Sequence, residues 1–485
     1  MKMKYSILTA SVRRGLVLGT LGIGMLGLMP SVGAASEPSI QEQLEALQLQ
    51  LQQQQTLIAA MQKEIDQQEL TDKKMQAAGQ AITQQAADTE QLAQQAGADV
   101  QQVAKSVGLD LSKVTDQIAP GDAHDVEIRG TNTVLSIAGF IRASGIYDFD
   151  QIESPTKFSP AHIVINGNPS DVPDTNTTFT VNASRFAIGS LTDTDKGQIK
   201  TYMEWDFDQN TTSASADFRM RQAWGEIEDI IFGGSLLVGQ AWTTWDDIPT
   251  LPETMDFMGP NASQQNRSPM IRWIKDYGDD ATLWLALEQP HYNVTGGSRE
   301  GSMPDFIATV NWHGDWGHLK PAFVARQIRA DNTMVDDTDS VFGWGIQLAG
   351  RVEMPFLGEK DNFKFQTVYG QGIGSFNDDG RFDDAMFTAD GDMDTIDSFQ
   401  IFGALQHWWS PTWRSNFVLG WVDVNNKDEQ TDDSLNNTTY TAVNIVWSPM
   451  DKVTMGLEYL WGQRTNKNQD DGSASRIQFM TKVAF

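Results

Sequence analysis

Cysteine is absent from all 485 residues, and basic residues are scarce beside acidic ones. Without cysteine the fold cannot depend on disulfide bonds, even if the protein is exported. The chain has 35 lysine and arginine residues against 64 aspartate and glutamate residues, a formal net charge of −29. So acidic a protein lacks the basic footprint that nucleic-acid binding needs, and we predict no nucleic-acid partner.

Apart from one apolar run near the N-terminus, the chain has no apolar run of membrane-helix length, and its mean hydropathy is only −0.37. These absences exclude a helical membrane protein. They leave room for a β-barrel, in which only every second strand residue has to be apolar. The 15 tryptophans and 41 glycines fit an extended sheet with aromatic girdles.

Motifs for catalysis and cofactor binding are missing as well. The sequence has no glycine-rich phosphate loop, no His-Glu-x-x-His and no Gly-x-Ser-x-Gly. The run Asp390-x-Asp-x-Asp394 lacks the glycine and distal glutamate of a helix-loop-helix calcium site, which favours a solvated loop over divalent-ion binding. We predict no enzyme, no cofactor and no metal centre. The enzyme alternative, a barrel-borne hydrolase, would need a serine–histidine pair that the sequence does not assemble.

The N-terminus is typical of a secretory signal. Four basic residues precede or flank the start of the apolar run 15–28, and Val32-Gly33-Ala34 offers a small-residue cleavage site. We therefore predict that residues 1–34 are a signal peptide. Its removal takes away four basic and no acidic residues, so the formal charge moves from −29 to −33.

A heptad repeat follows the signal. Apolar residues recur every seven positions at Leu44, Leu51, Ile58 and Ile65, and a second set is offset by three: Leu47, Gln54, Met61 and Gln68. Because the positions around this seam are almost wholly Gln, Glu and Lys, a self-associating coiled coil is favoured over a lone amphipathic helix folded onto a domain. We assign residues 35–119 to a periplasmic helical coiled-coil region and residues 120–130 to a linker.

From residue 131 the apolar period becomes two and stays at two to the C-terminus. Sixteen segments have this period: 131–149, 181–191, 197–208, 215–229, 234–245, 266–276, 280–289, 304–313, 316–329, 340–354, 361–375, 395–408, 412–425, 436–447, 452–465 and 474–485. An even strand number with alternating long and tight connections is typical of an outer-membrane barrel. We predict an all-β transmembrane barrel of 16 antiparallel strands over residues 131–485, with the tight turns and Phe485 on the periplasmic side.

Tryptophans cluster near both ends of these segments. One cluster lies beside tight turns: Trp312, Trp316, Trp408, Trp409, Trp413 and Trp447. The other lies at the loop ends: Trp205, Trp245, Trp421 and Trp461. Two clusters at opposite strand ends predict two interfacial girdles.

Along each strand, the residues that alternate with the apolar, lipid-facing ones should face the lumen. Assigning Phe218, Met220 and Trp224 to the lipid, for example, turns Arg219 and Arg221 inward. The same argument predicts an ion or substrate pathway lined by these cations: Arg142, Arg185, Arg219, Arg221, Arg272, Arg351, Lys364, Arg414, Arg464 and Arg476. Such a lining favours anions.

An unselective wall is the alternative, because the inward cations could simply balance inward acids: Glu204, Asp206, Glu288 and Glu458. We favour anion preference.

The connection at 246–265 has three prolines and an apolar middle. This composition suits a loop folded inward against the wall better than one capping a subunit contact on the surface. In the inward position, Glu253 and Asp256 would be constriction-loop residues that face cations across the lumen: Arg142, Arg185, Arg219 and Arg221.

The chain resembles the DcaP-like outer-membrane porins. The resemblance is carried by the Gln-rich heptad helix and by four barrel segments: Gly139-Phe-Ile-Arg-Ala-Ser-Gly145, Ser184-Arg-Phe-Ala-Ile-Gly189, Phe218-Arg-Met-Arg-Gln-Ala-Trp-Gly-Glu226 and Gly239-Gln-Ala-Trp242. It covers nearly the whole mature chain. It implies a trimer of sixteen-stranded barrels, passive uptake of small anions with dicarboxylates as the leading class, and pathway roles for the arginines inside those segments.

We therefore expect a homotrimeric outer-membrane porin of a Gram-negative bacterium, in contact with lipid and lipopolysaccharide, that passes small anions by diffusion. A phosphate- or polyphosphate-selective porin, or a general one, is the alternative. A second alternative is structural: the coiled coil would tether the envelope to peptidoglycan or a periplasmic partner, with the barrel as its mount.

Overall fold

The structure is a computed structural model that describes residues 124–128, 131–208, 215–333, 337–379 and 382–485, together with Gln55. The chain divides after Gly108 into two units, and the fold described below belongs to the second, Leu109–Phe485. The predicted signal peptide and, apart from Gln55, the predicted coiled coil lie outside the described residues. Within the described ranges, no helix is long and apolar enough to cross a membrane.

Antiparallel strands form most of this unit. In chain order they are β1 (His124–Ile128), β2 (Thr133–Asp148), β3 (Asn176–Thr180), β4 (Arg185–Thr194), β5 (Gly197–Asp206), β6 (Arg219–Ile231), β7 (Gly234–Trp242), β8 (Arg267–Tyr277), β9 (Ala281–Glu288), β10 (Val294–Thr295), β11 (Gly297–Arg299), β12 (Asp305–Gly314), β13 (Gly317–Asn332), β14 (Thr338–Glu353), β15 (Asn362–Gln371), β16 (Ala385–Phe387), β17 (Met393–Thr395), β18 (Asp397–Trp408), β19 (Trp413–Asn425), β20 (Leu435–Met450), β21 (Val453–Asn466) and β22 (Asp471–Ala484). Three short 3-10 helices lie in the loops: Pro160–His162, Ile248–Thr250 and Gly374–Phe376.

Sixteen of these strands form a closed barrel. Each long strand pairs antiparallel with the next one along the chain, and β22 pairs with β2 to close the ring. The short strands β1, β3 and β11 extend the same sheet, while β10, β16 and β17 form a small sheet of their own in the loops. The predicted barrel of sixteen antiparallel strands is confirmed, with the strands in the predicted order.

The two ends of the barrel sequence meet at Gly139. The Phe485 N–H donates to the Gly139 carbonyl at 2.9 Å, and the Gly139 N–H donates to the Phe485 carbonyl at 3.3 Å. A Cβ at position 139 would lie 2.5 Å from the Phe485 ring and 2.6 Å from the Arg185 carbonyl oxygen, so only glycine fits. Beyond the end of β22, strand β1 pairs with the first part of β2, in the segment predicted to be a linker.

The barrel is apolar outside and polar inside. Ile141, Phe342 and Leu419 are 61%, 65% and 63% exposed on the outer face. Gln400, Thr438 and Arg476 are fully buried on the inner one. This is the alternation that a lipid-facing strand requires, with the period of two that the sequence shows.

A β-bulge in β6 breaks this alternation. Glu204 of β5 pairs with Gln222 and Trp205 pairs with Met220, so Arg221 has no residue opposite it. Both Arg221 and Gln222 therefore point inward, and the parity of the strand reverses after them. Trp224, predicted to face lipid, instead lies inside and packs against Tyr202 with 5.6 Å between ring centroids. That part of the parity prediction is wrong.

Trp245 is also misplaced by the sequence argument. It is fully buried in the loop after β7, where its ring centroid lies 5.3 Å from that of Phe376. It packs two inward loops together and belongs to no interfacial girdle. A tryptophan side chain is apolar enough for an interfacial girdle or for a buried contact between loops, and only the tertiary fold decides between these two roles.

Candidate functional site

The loop at 246–265 lies inside the barrel. It leaves the wall between β7 and β8 and is held by side chains of distant strands, which donate hydrogen bonds to its carbonyls. Gln347 donates to Trp245 at 2.8 Å, Lys364 to Leu251 at 2.8 Å, Asn444 to Glu253 at 2.8 Å and Gln478 to Met255 at 2.6 Å. Since β14, β15, β20 and β22 all contribute, the loop crosses the lumen and follows the opposite wall.

Two wall glycines allow this close approach. A Cβ at Gly456 would lie 2.1 Å from the Met255 sulfur, and one at Gly420 would lie 2.3 Å from the Asn261 Oδ1. Met255 and Asn261 are buried as a result. A glycine inside a strand commonly marks the place where another part of the chain comes close.

Between this loop and the wall from β2 to β8 lies a cavity of about 580 Å³, which we call the arginine cavity. Six cationic side chains line it: Arg142, Lys157, Arg185, Arg219, Arg221 and Arg267. Four acidic side chains also line it: Glu153, Glu253, Asp256 and Asp378. The loop contributes an apolar surface around Phe257, and Trp242 of β7 adds a second aromatic ring.

Arg219 and Arg221 are neutralised by acids behind them. Arg219 binds Asp206 through Nε at 2.8 Å and Nη2 at 2.7 Å. Arg221 reaches Glu204 at 2.5 Å and Asp206 at 2.7 Å. Asp206 is fully buried and Glu204 nearly so, and therefore these carboxylates need their arginine partners. In this part of the wall, two of the inward acids named above, Glu204 and Asp206, pair with inward arginines.

Arg142 and Arg267 are held differently. The Arg142 guanidinium donates to the Met255 carbonyl and lies 5.6 Å from the centre of the Phe257 ring. The Arg267 guanidinium donates to the Gln265 carbonyl at 3.0 Å and lies 4.7 Å from the Trp242 ring. Among the described residues, neither guanidinium has a carboxylate at ion-pair distance. Arg185 is intermediate, with Glu204 at 3.5 Å.

The acids Glu253 and Asp256 line the same cavity as the four arginines that they were expected to face, but their carboxylates contact other groups. Glu253 forms an ion pair with Arg414. Asp256 accepts hydrogen bonds from the main-chain N–H groups of Phe158 and Gly259, each at 3.0 Å. Asp256 thus holds two loops together.

The remaining predicted pathway cations lie apart from this cavity. Arg272 is buried beside Thr244, and Arg476 is fully buried against Asp148 at 2.5 Å. Arg464 donates to the Ala161 carbonyl at 3.1 Å, and Lys364 holds the inner loop. Arg351 pairs with Glu353 at 2.8 Å near the tight turns. Most of these cations therefore hold loops or balance acids.

Sequence reasoning missed three cations. Arg267 has the outward parity of β8, but as the first residue of the strand it reaches over the rim into the cavity. Lys157 lies in a loop that parity does not cover, and it pairs with Asp208 at 2.9 Å. Arg326 lies on β13, whose inward face the apolar pattern does not determine, and it is buried between Asp305 at 3.1 Å and Asp384 at 2.9 Å.

For the run of Asp390, Asp392 and Asp394, the sequence favours a solvated loop over divalent-ion binding. Within the described ranges, no group of three or more such side chains is placed to hold a metal ion.

The comparison with protein families decides what kind of protein this is. A model of the DcaP outer membrane protein family matches residues 56–485. The chain belongs to the DcaP family. It is therefore an outer-membrane protein, and the family resemblance of the sequence is confirmed.

Solved structures agree with this fold. The outer membrane channel DcaP of Acinetobacter baumannii is 17% identical, with a TM-score of 0.64 over 74% of this chain and 99% of that one. OmpT of Vibrio cholerae is 12% identical, with a TM-score of 0.47 over 74% of this chain and 99% of that one. An anion-selective porin from Comamonas acidovorans is 10% identical, with a TM-score of 0.46 over 73% and 100%. No curated protein matches the sequence. At these identities, only the DcaP channel carries weight, and it speaks for the fold alone.

In this DcaP-family barrel, Asp379 joins its own loop, which follows β15, to the loop that follows β2. Burial raises the pKa of its carboxyl to about 6, although Ser159, the Ala161 N–H and Thr438 donate hydrogen bonds to it. The pKa in the folded state thus lies above the ordinary value of about 3.9. The stability of this contact is greatest at low pH and is lost as the pH rises from about 4 to about 6.

We predict that spontaneous channel closures and current noise increase between pH 4.5 and pH 7.5, because ionised Asp379 loosens the loop contact. Single-channel recordings at both values measure the effect. Asp379→Asn should remove most of the pH dependence, whereas Asp390→Asn, in an exposed part of the same loop, should keep it. An equal pH response in Asp379→Asn would show that another group is responsible.

Proposed function

We propose that this DcaP-family barrel is a passive channel for small anions, with dicarboxylates as the preferred class, and that the arginine cavity is its selective constriction. The observation that carries the proposal is that two arginines on the wall facing the inner loop, Arg142 and Arg267, have no carboxylate at ion-pair distance among the described residues. Charges that acids already neutralise contribute little to selectivity, while these two act on whatever passes.

The preference for dicarboxylates over phosphate is supported by the aromatic rings beside these cations. Phe257 lies next to Arg142, and Trp242 lies next to Arg267. A dicarboxylate has an apolar carbon chain that can contact these rings while each carboxylate meets a guanidinium. Phosphate has no apolar part and gains nothing from them. A phosphate-selective or general porin remains the alternative.

Planar-bilayer reversal potentials under a salt gradient test the proposal, with succinate and phosphate as competitors. The unmodified channel should be anion-selective, and succinate should reduce the chloride current more than phosphate does. A unit charge about 8 Å away in a water-filled pore favours an anion and disfavours a cation by roughly 0.5 kcal/mol each. Loss of both charges in Arg142→Ala with Arg267→Ala therefore shifts the anion–cation difference by roughly 2 kcal/mol, which lowers the permeability ratio about thirtyfold at low salt.

Lys196→Ala removes a cation from an exposed turn and serves as the control, with no expected change in the ratio. Stability should change little in the double variant, because the Met255 carbonyl that Arg142 binds still accepts a hydrogen bond from Gln478. Cation selectivity of the unmodified channel would contradict the proposal outright.

Assembly as a homotrimer, with residues 35–119 as a coiled coil in the periplasm, stays a prediction. So does the contact of the apolar outer face with lipid and lipopolysaccharide. Nothing in the described part of the chain favours the second alternative, an envelope tether.

A further inference from the structure

A second cavity lies near the tight turns and is separate from the arginine cavity. Its lining includes Asp315, Arg351, Glu353, Lys360, Gln406 and Trp408, and we call it the turn-end cavity. Glu253 lines the arginine cavity, and the Gln406 amide that lines the turn-end cavity donates to its carboxylate at 3.3 Å. The Glu253 side chain therefore stands where the two cavities adjoin.

Arg414 holds that carboxylate with two parallel hydrogen bonds. Its Nε donates to Glu253 Oε2 at 2.5 Å, and its Nη2 donates to Oε1. The third nitrogen, Nη1, donates to the Ser448 hydroxyl at 3.0 Å, and the guanidinium lies 4.9 Å from the centre of the Trp408 ring. A two-point guanidinium contact with an added amide donor is the arrangement by which arginine binds free carboxylates.

The two partners differ in how firmly they are placed. The Arg414 side chain is only 8% exposed on the barrel wall, whereas the Glu253 side chain is 31% exposed on the inner loop. The main chain at Glu253 is fixed separately, because its carbonyl accepts a hydrogen bond from Asn444 at 2.8 Å. The Glu253 side chain can thus rotate away without moving the loop.

Arg414 needs an anion beside it, because a nearly buried guanidinium that loses its partner strongly destabilises the fold. Another carboxylate in the same position would make the same two hydrogen bonds, so it competes with Glu253 at a similar contact energy, and the solute concentration decides which of the two is bound. Chloride cannot make a two-point contact and would exchange less well.

We propose that Arg414 and Gln406 form a second carboxylate site at the exit of the arginine cavity, which Glu253 occupies until a solute carboxylate takes its place. Glu253 is then an intramolecular competitor for the solute. This inference rests on the proposed anion channel and adds to it a residue that sets the affinity for carboxylates over inorganic anions.

The test is the half-saturating succinate concentration for reduction of the chloride current. Glu253→Gln removes the competing charge but keeps the size of the side chain and one oxygen that accepts a hydrogen bond from Arg414, which limits the loss of stability. A tethered competitor acts at a millimolar or higher effective concentration, so its loss should lower the half-saturating concentration by at least about tenfold. Adding Arg414→Gln to this variant should abolish the gain, and the pair of changes leaves no unpaired charge behind.

Glu228→Gln is the matched control. It removes the same charge from an ion pair with Lys200 at 2.8 Å, outside the lining of both cavities, and the Glu228 side chain is 26% exposed against 31% for Glu253. We expect a change of less than about twofold, because only general electrostatics are altered there. Equal shifts in Glu253→Gln and Glu228→Gln would overturn the inference, and so would a gain that survives Arg414→Gln.

Failure of this inference differs from failure of the proposed function. An anion-selective unmodified channel in which Glu253→Gln leaves the succinate response unchanged rules out only the second site. A cation-selective unmodified channel removes the basis for both.

Discussion

Replacing Arg219 and Arg221 together with alanine should turn the channel from anion to cation preference and destabilise the barrel. The two arginines neutralise Glu204 and Asp206 at 2.5 to 2.8 Å, and Arg219 also reaches Asp208 at 3.4 Å. Without them, buried carboxylates face the cavity unpaired, which costs roughly 3–5 kcal/mol for each broken pair. Reversal potentials measure the first effect, and the temperature at which the folded band disappears on a gel measures the second.

The control for this prediction adds Glu204→Gln and Asp206→Asn to the same variant. The fourfold variant has no unpaired buried charge, so most of the lost stability should return. Cation preference should disappear as well, and the anion selectivity that Arg142, Arg185 and Arg267 provide should return. If the double variant kept both its stability and its anion selectivity, the ion pairs seen between β5 and β6 would not determine the charge of the lumen.

Removing the inner part of the loop should widen the channel. If residues 251–260 are replaced by a short Gly-Ser linker, the wall that faces the arginines is lost, and single-channel conductance should rise about two- to threefold with weaker ion selectivity. The variant also leaves Lys364 and Arg414 without their loop partners, so some loss of thermal stability is expected.

Excision of residues 168–174 is the matched control. This stretch belongs to the long connection after β2 and is largely exposed. Its removal should leave conductance and selectivity unchanged. An unchanged conductance after removal of residues 251–260 would mean that the narrowest point lies elsewhere in the barrel.

The strands could be predicted because lipid and lumen impose opposite demands on alternate residues, and this constraint is visible along each strand. The parity of Arg142 and Arg476 follows from it. It fails at Trp224, because a single bulged residue reverses the parity and leaves no mark in the apolar pattern.

The site was harder to predict than the wall. Arg221 is neutralised and Arg142 is not, because a neighbouring strand places acids beside Arg221 only. The register of the strands decides this, and the apolar period does not reveal the register. The inward loop could be suspected from its prolines. Its path across the lumen depends on the glycines at 420 and 456, and the sequence does not show which residues pack against them.

The seating of Phe485 on Gly139 also bears on the order of events during assembly. The last strand, β22, completes the pairing of β2, so the ring cannot close before β22 has reached its place. Until then β2 presents an open edge with unpaired N–H and C=O groups, able to pair with other chains. Because this closure joins segments at opposite ends of the barrel sequence, it is expected to be a late and slow step. The time the chain spends unclosed, rather than the stability of the finished barrel, would then set its risk of aggregation.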